Sequence, residues 1–223
     1  MNSIISCNNI HKSYGNVSVL KGIDLEVVSG EILAIAGPSG SGKTTLLQIL
    51  GTLDEPDSKR NTDLIINRKS VSQMSSKDKA LLRNKYLGFI FQFHELLPEF
   101  TALENVCLPS WISKRNNEEV RNDALKLLRE LDLLKMAYKK PEELSGGERQ
   151  RVAVARSLIN NPEIIFADEP SGNLDSRNSD HLYELFFDLR KNKGCSFVIV
   201  THNEKFATKA DRKMTLKDGK IIR

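Results

Sequence analysis

The stretch Gly37-Pro38-Ser39-Gly40-Ser41-Gly42-Lys43-Thr44 constrains this chain more than any other. It fits G-x-x-x-x-G-K-[ST], the pattern of a loop that cradles phosphate. Ile32-Leu33-Ala34-Ile35-Ala36 before it is a short apolar run of the kind a fully buried strand shows. Thr45-Leu46-Leu47-Gln48-Ile49-Leu50 after it reads as the opening of a helix, with Gly51 as its C-cap. Strand, glycine loop and helix is the order phosphate binding requires. Glycines let successive N–H groups turn inward, and the helix beginning at Lys43 adds its N-terminal dipole. Lys43 would neutralise the outer phosphates, and Thr44 would offer a hydroxyl to Mg²⁺.

The chain has 223 residues, 39% of them hydrophobic, and no stretch of about 18 uninterrupted apolar residues that would span a membrane. Met1-Asn2-Ser3-Ile4 lacks the layout of a secretory signal, so a soluble chain that stays in the cytoplasm is expected. Cys7, Cys107 and Cys195 form no CxxC pair and no zinc spacing, and read as small buried hydrophobes in a reducing compartment. A net charge of +4 is too mild to argue for nucleic acid as a partner.

Ser3 to Ile10 and Gly22 to Val28 read as strands, with Tyr14-Gly15 in the loop between them. An aromatic ahead of a phosphate site can stack on a base. Leu64-Ile65-Ile66 and Tyr86 to Phe91 are further strand candidates, separated by a helix capped at Ser75 or Ser76. From Phe93 to about Glu143 the texture is helical. Thr101 to Glu104 has the capping-box layout. Asn117 heads a helix with Val120, Ala124, Leu127, Leu128, Leu131 and Leu134 on one stripe. This block interrupts a β/α alternation and reads as an inserted lobe. Beyond it come a helix led by Ser145, the strand Ile164 to Ala167, a helix capped at Ser176, the strand Phe197 to Val200, and a hairpin turning at Asp218-Gly219. The pattern predicts an α/β sheet with parallel central strands, on which ligands bind beyond the carboxyl ends.

Gln92, Asp168-Glu169 and His202 all follow predicted strands, so they would converge on the phosphate loop. Asp168 can hold Mg²⁺ through water opposite Thr44, while Glu169 faces an attacking water as general base. His202 could hydrogen-bond a γ-phosphate and orient Glu169. The Gln92 amide can ligate Mg²⁺ and sense the same phosphate. Leu144-Ser145-Gly146-Gly147-Glu148 is a second anion site, at another helix N-terminus. One phosphate group does not need both on one subunit. A head-to-tail dimer, each serine-led helix closing over its partner's nucleotide, accounts for the pair.

These parts, in this order, resemble the ATP-binding subunits of ABC transporters over essentially the whole chain. The resemblance makes Tyr14 the A-loop aromatic, Gly37 to Thr44 the Walker A loop, Gln92 the Q-loop glutamine, and Leu144 to Glu148 the signature, followed by Gln150. Asp168 and Glu169 complete Walker B, Ser171 to Asp175 is the D-loop, and His202 is the switch histidine. It implies a P-loop NTPase core of mostly parallel sheet with an N-terminal antiparallel β part and an inserted helical subdomain. Residues 1–92 and 144–223 would form the core and about 93–143 the lobe of a single ATP-binding domain. It implies ATP hydrolysis with ATP and Mg²⁺. Catalysis falls to Glu169, His202 and Gln92, and the metal to Thr44, Gln92 and Asp168. Nucleotide contacts come from Tyr14, Gly37, Pro38, Ser39, Gly40, Ser41, Gly42, Lys43, Thr44, Thr45, Ser145, Gly146, Gly147 and Glu148.

Gly88 to Val106 and Ser171 to Asp175 look like the group containing the lipoprotein-releasing ATPase LolD and the macrolide-exporter ATPase MacB. A chain ending after the hairpin favours LolD within that group, and excludes the C-terminal regulatory domains of some importers. This implies a homodimer working with LolC/LolE-like permease subunits at the cytoplasmic face of the inner membrane, without nucleic acid. An FtsE-like division ATPase and a MacB-related efflux ATPase share the motifs. A soluble repair or translation ATPase fits less well: Thr45 to Glu143 has no sustained heptad, and there is one cassette. The membrane partner is expected at a groove of Phe93 to Phe100 with Leu108-Pro109-Ser110-Trp111. Two departures are Asp57-Ser58-Lys59-Arg60, in place of a glycine turn, and Asn203, where aspartate is frequent.

Overall fold

The computed structural model describes residues 3–57 and 62–222. Met1-Asn2 and Ser58-Lys59-Arg60, on which the expectations of no secretory signal and of a departure at the turn bear, lie outside the described residues. The elements run β1 (Ser3–Tyr14), β2 (Val17–Val28), β3 (Ile32–Ala36), α1 (Lys43–Leu50), β4 (Asp63–Ile66), β5 (Lys69–Ser70), α2 (Ser76–Tyr86) and β6 (Leu87–Ile90). Then come α3 (Ala102–Ile112), α4 (Asn117–Glu130), α5 (Gly146–Leu158), β7 (Ile164–Asp168), α6 (Ser176–Lys193), β8 (Ser196–Val200), α7 (Glu204–Lys209), β9 (Arg212–Lys217) and β10 (Lys220–Ile222).

Two sheets result, one antiparallel in the order β2-β1-β4-β5 and one in the order β10-β9-β3-β8-β7-β6. In the larger sheet β9, β3, β8, β7 and β6 are parallel neighbours, and only β10 runs against its partner. The central strands are apolar throughout because both their faces are covered. Ile32, Ala34 and Ala36 of β3 pack with α3 to α6 on one side, while Leu33 and Ile35 pack with α1 and the antiparallel sheet on the other. Side chains alternate across a strand, so one five-residue run feeds two cores.

The structure extends or shifts several predicted boundaries. The β1–β2 ladder reaches Tyr14↔Val17, so Tyr14 ends a strand and does not sit in a loop. His11, Lys12 and Ser13 carry no apolar alternation, which hid this part of the strand. Asn116, one residue before Asn117, caps α4 by accepting from the N–H groups of Glu118 and Glu119. Leu134 leaves the expected buried stripe. The helix ends at Glu130 and Asp132 turns left-handed, so Leu133 enters the core while Leu134 is 38% exposed. Asp175, not Ser176, caps α6. The six-residue α7 was not legible as a helix; Asn203 caps it through Phe206 N–H at 3.0 Å, a task aspartate also performs. Gly51 follows α1 with an ordinary φ of −80°, and is needed because a Cβ there would lie 2.6 Å from the Phe89 ring. The three cysteines are buried and free, and burial pushes their thiols up to about 11 or 12.

Candidate active site

The carboxyl ends of β3, β7 and β8 carry the site. After the buried β3, the phosphate loop turns through Gly37, Gly40 and Gly42, with φ of 154°, 77° and 101°. Gly37 has no room for a side chain: a Cβ would stand 2.1 Å from the Leu216 carbonyl oxygen. Lys43 opens α1 and is buried, its Nζ donating to the Gly37 and Pro38 carbonyls at 2.9 and 3.0 Å. Phosphate oxygens would give that ammonium charge-assisted acceptors in the same cradle. The Ser41 hydroxyl is buried with no partner, an open donor inside the loop. The loop therefore fits a phosphate chain.

Thr44 Oγ1 donates to Asp168 Oδ1 at 3.2 Å, which joins the first turn of α1 to the end of β7. Burial pushes the Asp168 carboxyl up and the neighbouring Glu169 charge adds to this, while the Thr44 hydrogen bond and the Lys43 charge oppose it. A carboxylate raised in this way gains from a cation. No cluster of three or more His, Cys, Asp and Glu able to hold a metal occurs among the described residues. Thr44 and Asp168 are instead the sparse set suited to Mg²⁺, which keeps waters and takes substrate phosphate oxygens.

Glu169 adopts a left-handed φ of 43°, which separates its side chain from that of Asp168. Its N–H donates to the Val200 carbonyl, and its Oε2 accepts from the His202 N–H at 3.1 Å and lies 2.7 Å from His202 Nδ1. The carboxylate is thus fixed by the end of β8 and the residue pair beyond it. Gln92 stands at the same edge. Its carbonyl accepts from Asn173 at 2.9 Å, and its amide nitrogen lies beside Gly172, so it is in touch with the loop after β7. Tyr14 is 49% exposed, with its hydroxyl donating to Asp54.

Ser145 is different. It caps α5 in a complete capping box: its Oγ accepts from Glu148 N–H, and its own N–H and hydroxyl both donate to Glu148 Oε2 at 2.7 Å. Ser145 is exposed, and no hydrogen bond or ion pair among the described residues links Ser145, Gly146, Gly147 or Glu148 to the phosphate loop.

The ABC transporter family model matches residues 20–172. The chain is 56% identical to the lipoprotein-releasing system ATP-binding protein LolD of Cytophaga hutchinsonii, with all of both chains covered. It is 54% identical to LolD of Bacteroides fragilis, over 98% of this chain and 100% of that one. The chain belongs to the ABC transporter family.

Solved ABC cassettes share the fold of this ABC ATPase. The dimeric post-hydrolysis form of the cassette MJ0796, bound to ADP and Pi, superposes with a TM-score of 0.89 at 38% identity, covering 98% of this chain and 97% of that one. CbiO1 of Clostridium perfringens superposes with a TM-score of 0.89 at 26% identity, covering 100% and 88%. The ABC subunit is an ATP-hydrolysing enzyme.

Sequence reasoning missed the supports of this site. Tyr183 on α6 joins Ser171 Oγ at 2.7 Å to Thr201 Oγ1 at 3.1 Å, tying the loop after β7 to the residue before His202. Arg156 on α5 holds the carbonyls of His94 and Glu95, two successive non-glycine residues with left-handed φ just past Gln92. Both read from sequence as ordinary helix residues. Of the expected partner groove, Phe93 and Leu97 are exposed, and Pro109 lines a neighbouring cleft. A cleft of about 410 Å³ is lined by Leu53, Arg83, Phe89, Phe91, Pro109 and Ile112. Trp111 instead packs on the helical core.

Proposed function

We propose that this ABC subunit is the motor of a lipoprotein-releasing transporter, peripheral on the cytoplasmic face of the inner membrane and bound to LolC/LolE-like permease subunits. Full-length similarity to LolD proteins supports the assignment of cargo. No helix among the described residues is long and apolar enough to cross a membrane, so translocation needs partner chains. Residues 1–92 and 144–223 act as the catalytic core and about 93–143 as the lobe that meets the permease. The cleft bordered by Ile112 and Leu53 is the docking site.

The observation that carries the chemistry is the chain of contacts from Thr44 through Asp168 to the Glu169–His202 pair, at one sheet edge. Thr44 and Asp168 would hold Mg²⁺, with Gln92 on the loop after β6 as a further ligand candidate, and the cation would draw charge from the phosphate oxygens. Glu169 accepts the proton of the attacking water, and His202 holds that carboxylate in place. Ser145 and its glycines serve the nucleotide of a second copy, since no hydrogen bond or ion pair among the described residues joins them to their own phosphate loop. Co-purification from membranes tests the whole reading. Recovery of a lipoprotein-releasing permease is expected; recovery of a division or drug-efflux permease instead would overturn the cargo.

A further inference from the structure

Beside the phosphate loop lies a polar clamp that no catalytic step uses. The Tyr14 hydroxyl donates to Asp54 Oδ2 at 2.6 Å. The other carboxylate oxygen of Asp54 accepts from Lys12 Nζ at 2.6 Å and from Glu55 N–H at 2.7 Å. Lys12 Nζ also donates to the Glu55 carbonyl at 2.7 Å and stands 5.0 Å from the Tyr14 ring centroid. Asp54 itself is anchored by its N–H to the Gln48 carbonyl of α1.

An exposed tyrosine at the end of a hairpin has free rotamers, and freezing them weakens any ligand that stacks on it. Here the ring is held at its hydroxyl by a carboxylate and approached on a face by an ammonium. A cation near one face leaves the ring one open face for a planar group. Burial pushes the Asp54 carboxyl up, but the hydrogen bonds from Lys12 and Tyr14 outweigh it and keep the group ionised.

We propose that Asp54 and Lys12 are positioning residues that preorganise Tyr14 to receive the nucleotide base, so that base recognition is built on the same helix as phosphate recognition. The inference rests on the reading of Tyr14 as the base-stacking residue.

Equilibrium binding of ATP and of inorganic tripolyphosphate to the full chain separates the two claims. Asp54→Ala and Tyr14→Phe should each weaken ATP binding about three- to tenfold, the cost of ordering one side chain, and leave tripolyphosphate binding unchanged. The Asp54→Ala/Tyr14→Phe double variant should be no weaker than either single one, because both remove the same hydrogen bond. If Tyr14→Ala weakens ATP binding but Asp54→Ala does not, the clamp is overturned and the stacking role of Tyr14 stands. If Tyr14→Ala binds ATP normally, the stacking reading falls and takes the clamp with it. If Asp54→Ala weakens ATP and tripolyphosphate equally, Asp54 only supports the fold, and the proposal is wrong.

Discussion

Glu169 reaches the edge of the parallel sheet with a backbone angle that few glutamates adopt, and two hydrogen bonds from His202 hold it there. Strain of this kind persists where the surroundings over-determine it, here the end of β8 and His202. Replacing Glu169 with Gln keeps the shape and removes the proposed base. ATP binding should survive in Glu169→Gln, while phosphate release falls about 10²–10⁴-fold; normal turnover in a colorimetric phosphate assay would remove Glu169 from its role. Asp168 supplies the pH dependence. Its pKa in the folded chain is raised, so ionised Asp168 costs stability above that pKa, and the cost disappears as pH falls below the ordinary aspartate value of about 4. If Asp168 holds Mg²⁺ as proposed, protons and the cation compete for the same carboxylate. Mg²⁺ affinity should therefore fall on acidification at a higher pH than an ordinary aspartate would give, and Asp168→Asn should lose this dependence in a calorimetric Mg²⁺ titration.

At the scale of elements, α4 and the turn that ends it show where periodicity stops being informative. Val120, Ala124, Leu127 and Leu128 recur at helical spacing and are all buried. Past Glu130 the chain reverses at Asp132, and the 3.6-residue stripe no longer says which leucine is inside. Leu133→Ala should cost about 2–5 kcal/mol and Leu134→Ala about 0.5 kcal/mol or less in urea unfolding, the reverse of what the stripe implies. Other elements were legible for physical reasons. The apolar runs of β3, β7 and β8 are buried on both faces and need no alternation to be recognised. The box at Thr101 and the cap at Ser145 are local chemistry, written in a few residues each. The phosphate loop, Asp168, Glu169 and His202 stand out in the sequence because each lies at or just past the end of such a strand. Lys12, Asp54, Arg156 and Tyr183 do not. Their roles depend on contacts across many residues of chain, such as Lys12 to Asp54, and nothing in their local sequence marks them.

The whole molecule divides its labour between faces. The sheet edge that gathers Lys43, Asp168 and His202 is the proposed nucleotide site. The cleft between α2, β6 and α3 presents Leu53, Phe89 and Ile112 in an apolar setting suited to a partner segment. Ile112 is 74% exposed at that cleft, so a charge there should leave the fold intact. Ile112→Glu should bind ATP as the wild type does and fail to co-purify with the permease; undiminished recovery of the permease would place docking elsewhere. Ser145 is exposed, with its hydrogen bonds spent on Glu148. Two copies arranged head to tail would bring each α5 tip to the partner's nucleotide and complete both sites at once. The most direct measurement is the mass of Glu169→Gln by light scattering, without nucleotide and with Mg²⁺-ATP. One chain is predicted without nucleotide and two chains with it, the shift being lost when Ser145→Arg is added. A single-chain mass at saturating, measured ATP occupancy would contradict the shared site.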